Sequence, residues 1–317
     1  NYNVAVGYNA GGAVTTGVNN TLIGGLAGDA ITTGDANVAV GHASLSANTT
    51  GENNTALGQA SLLANTTGYQ NVGIGINALG SNTTANNNVA VGVNGLLVNT
   101  TGTSNTALGS FALDANTTAS NNTAVGYASL GANTTGQQNT AVGGLCLDAN
   151  TTGDYNNAFG YLALTRNTTG VRNTALARST LETNTTGSYN VAVGMDALAA
   201  NTTADNNTAV GYLSLSANTT GPRNTGIGGS AGASITTGDN NTCLGYNSGV
   251  ATTTLTTGYQ NTLIGTYVHT SAVDTTIAFG LGYNLSCEGG YTTLGAGASD
   301  IRAAHGNVTW ATVSDER

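Results

Sequence analysis

An Asn-led block recurs through this chain at a strict 17-residue step, and no other feature narrows the choice of fold so far. The Asn stands at Asn3, Asn20, Asn37, Asn54, Asn71, Asn88, Asn105, Asn122, Asn139, Asn156, Asn173, Asn190, Asn207, Asn224 and Asn241, and again at Asn261 after a 20-residue step. The consensus is N-[TV]-A-V-G-Y-x-A-L-x-x-N-T-T-G-x-x, with the Asn as position 1. A short fixed period marks a stacked array, in which each repeat is too small to bury a core alone and relies on its neighbours. Seventeen residues are too few for a strand–helix–strand unit. They suit one coil of a parallel β-solenoid.

Within a block, positions 2 to 4 alternate as a strand does. Position 2 is mostly Thr or Val, position 3 is small, and position 4 is always apolar (Val6, Ile23, Val40, Leu57, through Ile264). Positions 2 and 4 then share one face and position 3 takes the other. The larger aliphatics are expected inside. Position 3, nearly always Ala, is expected to face outwards against sister chains around a three-fold axis. Gly at position 5 reads as a turn requiring positive φ or close backbone approach. A second strand is expected over the A-L segment, with T-T-G as the return.

A compensating exchange links two points of the coil. Eleven blocks carry Leu at position 9 and Asn at position 12, as in Leu45 with Asn48. Four others carry Gly at position 9 and an apolar residue before Thr-Thr: Gly11 with Val14, Gly28 with Ile31, Gly232 with Ile235 and Gly249 with Leu255. Volume lost at one point returns at the other, as expected if both side chains reach one narrow core. The unvarying Asn and Thr columns are expected to stack as hydrogen-bonded ladders.

The expected fold is therefore all-β: a parallel β-solenoid, or β-roll, of 17-residue coils. Residues 1–265 form the regular repeats. Residues 266–300 read as degenerate 15-residue terminal coils, aligned on Thr276–Gly280 and Tyr291–Gly295, and 301–317 as a C-terminal junction segment.

Composition excludes several functions. Six basic residues, all Arg, face fifteen acidic ones, for a net charge of −9. Such a chain repels nucleic acid. No apolar run approaches the length of a membrane-spanning helix, about 20 residues, so no membrane insertion is expected. The three His (His42, His269, His305) lie in different blocks without Cys or carboxylate at ligand spacing. Cys146 and Cys243 read as small buried substitutes, too far apart in the array to pair. If position 3 faced a trimer axis, three copies of Cys243 would converge there. With no catalytic constellation, neither an enzyme nor a cofactor is expected.

The N-[TV]-A-[VIL]-G-x-x-[AS] block resembles the head repeat of YadA-like trimeric autotransporter adhesins. That resemblance implies a left-handed parallel β-roll assembled as a homotrimer. The family's usual repeat is shorter, so the N-T-T-G arm is a departure, and the longer form resembles the repetitive shafts of bacteriophage tail fibres. The ending Trp310-Ala311-Thr312-Val313-Ser314-Asp315-Glu316-Arg317 is similar to the junction with the intramolecular chaperone domain of phage tail spikes and fibres. The resemblance makes Ser314 the processing junction and the chaperone domain a partner during folding.

The expected function is a structural, adhesive shaft of a phage tail fibre. Such a shaft stands at the virion surface or outside the cell, with a host receptor or glycan as partner. Tyr8, Tyr127, Tyr161, Tyr212 and Tyr246, in the turn after Gly, are the candidate sugar or receptor contacts; Tyr69, Tyr155, Tyr189 and Tyr259 occupy the other turn. The alternative is an extracellular adhesin or glycosylated matrix fibre. For it the N-T-T triplets supply glycosylation sequons at Asn48, Asn65, Asn82, Asn99, Asn116, Asn133, Asn150, Asn167, Asn184, Asn201 and Asn218. An ice-binding solenoid is a third, since Thr ladders can order water.

Overall fold

The computed structural model describes residues 2–250, 254–297, 299–306 and 311–312. Ser314 and Trp310 lie outside the described residues. Two compact units divide the chain, Asn1–Asn156 and Asn157–Arg317. In the first unit, three-residue strands from Val4–Val6 to Thr140–Val142 each pair in parallel with the next. Val4 lies beside Thr21, Thr21 beside Val38, and Thr123 beside Thr140, so every rung advances by 17 residues. The second unit repeats this arrangement from Asn157–Phe159 to Thr262–Ile264, with a 20-residue step from Thr242 to Thr262. Both units are parallel β-solenoid, as the repeat requires, and no described residue is helical.

The inside and outside of the strand are opposite to the expectation. Ala39, Ala56, Ala90, Ala107, Ala124 and Ala141 at position 3 are fully buried within their own coil, whereas Leu57 and Leu108 at position 4 are nearly half exposed. Cys243 therefore faces its own core, where burial pushes its thiol up to about 12. The reason is room. Where Gly replaces Ala at position 3, a Cβ on Gly73 would lie 2.6 Å from Ser61 Oγ and 3.4 Å from Leu62 Cγ. At Gly73 even a methyl group would force a shift, so the space between the strand and the Leu that reaches it from position 9 admits nothing larger than Ala.

That Leu does not come from a second strand. The A-L segment is a series of turns, and each of the eleven position-9 Leu residues, Leu45 to Leu215, has φ between 50 and 55°. Positions 7 and 17 also carry positive φ, as at Ala43 (53°) and Asn53 (56°). A left-handed non-Gly residue costs about 1–2 kcal/mol. Burying a Leu fully contributes about 1.5–3 kcal/mol, so each Leu stays left-handed because the conformation drives its side chain into the core.

The volume exchange is real and has a third member. At position 3 of the second coil stands Leu22, with Gly11 and Gly28 around it. A Cβ on Gly11 would lie 2.8 Å from Leu22 Cδ1, and one on Gly28 would lie 2.7 Å from Leu22 Cδ2 and 2.8 Å from Ile31 Cδ1. Likewise a Cβ on Gly249 would lie 2.9 Å from Cys243 Sγ. Larger position-3 side chains and apolar position-12 residues fill the space that position 9 vacates.

Two Asn columns run through the core. At position 1, Asn37 donates its backbone N–H to Asn20 Oδ1 at 2.9 Å, and its own Oδ1 accepts from the Asn54 N–H at 3.0 Å. At position 12, Asn65 Nδ2 donates to Asn48 Oδ1 at 2.9 Å. The columns meet at one acceptor: Asn37 Nδ2 and Asn48 Nδ2 donate to the Gly51 carbonyl at 2.9 and 3.0 Å. These buried amides are satisfied by one another, which removes the cost of holding them away from water.

The Thr-Thr-Gly turn forms a different ladder. The N–H groups of Thr32, Thr33 and Gly34 converge on the Thr49 carbonyl of the next coil at 3.0, 3.3 and 3.3 Å. Thr32 Oγ1 adds a fourth bond to the same oxygen at 3.2 Å. The Thr column thus bonds hydroxyl to backbone rather than hydroxyl to hydroxyl.

The C-terminal coils keep a different register from the expected pair of 15-residue steps. Thr262 pairs with Phe279 and Phe279 with Thr292, which are steps of 17 and then 13 residues. The Ala278 N–H donates to Asn261 Oδ1 at 2.9 Å and so takes the Asn place in the ladder. Gly282 and Gly295, not Gly280, therefore stand at the Gly corner. His269–Thr270 and Ser286–Cys287 form a separate two-stranded parallel sheet. The parallel run ends where Tyr291–Ala296 turns antiparallel onto Ser299–Ala304, which pairs with Ala311–Thr312.

Candidate functional site

The outward surfaces follow from the coil geometry. Gly at position 5 has φ between 121 and 146° in the regular coils, and the chain leaves the sheet there. A Cβ at Gly24 would also lie 2.5 Å from the Gly41 carbonyl oxygen stacked beside it. Position 4 consequently ends a sheet face and position 6 begins another side of the coil.

The sheet face is the most unusual surface. Positions 2 and 4 carry Thr, Val, Ile, Leu, Phe and one Asn, without a charge in any regular coil. In the first unit Val6, Ile23, Leu57 and Leu108 are exposed, and in the second Phe159, Leu176, Val210, Ile227, Leu244 and Leu281. Position 4 is apolar in every regular coil and position 2 is mostly Thr, so this uncharged, part-exposed face is a candidate interaction surface.

The candidate sugar-contact tyrosines stand beyond the Gly corner. Tyr8, Tyr127, Tyr161, Tyr212 and Tyr246 are each more than half exposed. Tyr127 meets Phe111 edge to face at 6.0 Å, and Tyr246 meets Tyr267, which in turn meets Tyr283, at 5.6 and 6.4 Å. Tyr69, Tyr155, Tyr189 and Tyr259 project from the opposite turn. Arg172 reaches Tyr189 there, with Nη1 donating to the Tyr189 hydroxyl at 2.7 Å and the guanidinium over its ring. An open recess lies along this side between Thr50, Glu52, Thr67 and Tyr69.

All eleven sequon asparagines, Asn48 to Asn218, are completely buried. In Asn116, for example, Nδ2 donates to Asn99 Oδ1 and to the Ala119 carbonyl. An N-linked sugar on that nitrogen has no room in a closed coil, so such a sugar and the folded ladder exclude one another. Of the Thr pair, the first spends its hydroxyl on the neighbouring carbonyl and the second, as in Thr33, Thr50 and Thr67, is exposed. One exposed Thr rank per coil is half of the double rank that an ice-binding surface needs.

No group of three His, Cys, Asp or Glu side chains that could hold a metal ion occurs among the described residues. His42 stands at position 6, His269 is buried with Nδ1 3.1 Å from the Tyr267 carbonyl oxygen, and His305 is exposed. Cys146, Cys243 and Cys287 are free and buried. Burial, with the Asp300 carboxylate nearby, also pushes the Cys287 thiol up to about 12, which leaves it a poor nucleophile.

Asp114 and Asp148 were not singled out by sequence reasoning. They sit at position 10 two coils apart, on either side of Gly131. A Cβ there would lie 2.8 Å from Asp148 Oδ1 and 3.5 Å from Asp114 Oδ1. Burial raises both carboxyl groups above the ordinary range; backbone N–H bonds partly oppose this at Asp114, and the Asp148 charge adds to it. The only signal in the sequence is the shared repeat position with Gly between.

Comparison with protein-family models, with curated proteins and with solved structures finds no match.

Proposed function

We propose that this chain is the shaft of a multi-chain extracellular fibre, of the bacteriophage tail-fibre kind, and that its uncharged sheet face is the seam between chains. The observation that carries the reading is the column of apolar residues at position 4, left partly exposed along each unit while the Ala column fills the coil's own lumen. The resemblance to trimeric β-rolls favours three chains around one axis, with Val, Ile and Leu rather than Ala at the contact. Burying such side chains contributes about 25 cal/mol per Å² of apolar surface, and a stacked array multiplies that gain coil by coil. Each unit so built offers its remaining sides to a receptor or glycan.

The test is the mass of the purified chain in solution. Sedimentation equilibrium is expected to give three times the chain mass. Leu57→Asp with Leu108→Asp is expected to release monomers with the β circular dichroism retained. A wild-type chain that stays monomeric at micromolar concentration ends the reading. The alternative of a surface-anchored adhesin is separated by the gene downstream of Arg317, where a chaperone domain favours the phage fibre and a membrane-anchor barrel the adhesin.

A further inference from the structure

Position 16, which follows the Gly of the Thr-Thr-Gly turn, has a regular task in the first unit. A short polar side chain there accepts the backbone N–H of position 16 one coil before. Asp35 Oδ1 accepts from Val18 at 2.7 Å, Asn86 Oδ1 from Tyr69 at 2.9 Å, Ser120 Oγ from Thr103 at 3.0 Å and Asp154 Oδ1 from Gln137 at 2.6 Å. Glu52 and Tyr69 hold this position on consecutive coils and accept no such bond. Among the described residues neither the Glu52 carboxylate nor its N–H has a partner, and neither have the hydroxyls of Thr50 and Thr67. All four residues are exposed, with Gly51 and Gly68 buried between them. Together they line a recess of about 340 Å³. Each of these groups alone is ordinary surface; the site lies in their meeting at one concavity.

We propose that this recess binds one neutral hexopyranose ring, with two adjacent ring hydroxyls on the Glu52 carboxylate and the C–H face of the sugar on Tyr69. The inference rests on the adhesive reading of the shaft and deepens it, placing a sugar contact on the Thr-Thr-Gly side rather than beyond the Gly corner. At about 340 Å³ the recess stands at the small end of ligand pockets, about 300–1,000 Å³, which suits one ring rather than a chain of them. A carboxylate presents two acceptor oxygens side by side and takes the O–H donors of a vicinal diol in charge-assisted bonds. The Thr50 and Thr67 hydroxyls donate and accept, and the Glu52 N–H donates, so further sugar oxygens find partners. The C–H groups of a pyranose are weakly positive and suit the negative face of a tyrosine ring. A simple amine would use the carboxylate and the ring but leave both hydroxyls and the N–H idle. An acidic sugar would meet the like charge of Glu52 on a chain of net charge −9. A neutral, hydroxyl-rich ring uses every group present.

The test is saturation-transfer NMR titration of the full chain with the methyl glycosides of glucose, galactose and mannose, with N-acetylneuraminic acid and with tetramethylammonium. At least one methyl glycoside is expected to bind, and more tightly than the acid or the amine. Tyr69→Ser is expected to weaken that binding at least tenfold with the β circular dichroism retained. Ser already serves this position at Ser120 and Ser188, and here it would accept the Glu52 N–H while removing the ring. Glu52→Gln, which keeps the shape and removes the charge, is expected to weaken binding by a similar factor. Absence of transfer to all three glycosides overturns the proposal, as does undiminished binding in either variant, or an acid or amine that binds as tightly as the best glycoside. Sedimentation of the same samples keeps the two readings apart. A trimer that binds no sugar retires the recess and leaves the shaft standing, whereas a monomer that binds one retires the seam between chains and leaves the recess.

Discussion

Asn218 ends a ladder because the residue one coil further on is Ile235. Asn218 Nδ2 donates to Asn201 Oδ1 at 3.1 Å and to the Gly221 carbonyl at 2.9 Å, yet its Oδ1 is buried without a donor. In the uninterrupted ladder that donor is the next Asn amide, and Ile235 has none. The same exchange that keeps the core full therefore breaks the polar column.

Two alanine variants measure what the ladder contributes. Asn133→Ala removes a rung bonded on both sides, since Asn133 donates to Asn116 and accepts from Asn150. Asn218→Ala removes a rung that already lacks one partner. Leaving a buried polar group unpaired costs about 1–3 kcal/mol, so Asn133→Ala is expected to destabilise by roughly that much more than Asn218→Ala. Urea denaturation of the two variants checks the order, and equal losses would remove the ladder from the account of stability.

Ala177 is the one non-Gly residue at position 5, and it holds φ at 132°. Its Cβ is strained in a region that other coils give to Gly. Such a residue costs about 1–3 kcal/mol, partly offset by the chain entropy that Gly adds to the unfolded state. Ala177→Gly is expected to stabilise by about 1 kcal/mol, while Ala177→Ser, which keeps the Cβ, gives no gain. Thermal melting of the pair distinguishes them.

Position 15 is Ala in three coils: Ala85, Ala119 and Ala204. In the coil of Ala119 the turn keeps the Thr117 N–H bond to the Thr134 carbonyl at 3.3 Å, whereas Gly34 and Thr33 in a Gly coil both join theirs. The amides of Thr118 and Ala119 are expected to exchange with deuterium faster than those of Thr33 and Gly34. Equal protection would show that the converging N–H groups add nothing to local stability.

Asp114 and Asp148 set a pH dependence of known sign. Their folded carboxyl groups hold protons more tightly than ordinary ones. The folded chain then binds more protons than the unfolded one between the ordinary and raised values, so stability rises as pH falls through that window. The penalty is complete at neutral pH and gone below the ordinary carboxylate range. Asp148→Asn is expected to stabilise the fold at pH 7 by less than about 1 kcal/mol in such a solvent-screened position, seen as a higher melting temperature, with the difference vanishing near pH 3. A gain that persists in acid would point to packing instead.

The repeat by itself determined the coil, its 17-residue rung, the stacking of Asn over Asn, and the exchange between position 9 and position 12. Each of these is a constraint carried from one block to the next, so comparison of blocks within one chain reveals it. Which face of the strand turns inwards was not legible. Alternation says that Val40 and Ala39 point opposite ways, but a preference for large side chains inside gives the wrong answer when the lumen is narrow. Only the closed coil shows that Leu45, arriving from a left-handed turn at φ 54°, leaves room for the Ala39 methyl and nothing larger. The C-terminal register was hidden for a related reason: Ala278 does not look like Asn, and its N–H bond to Asn261 identifies its place.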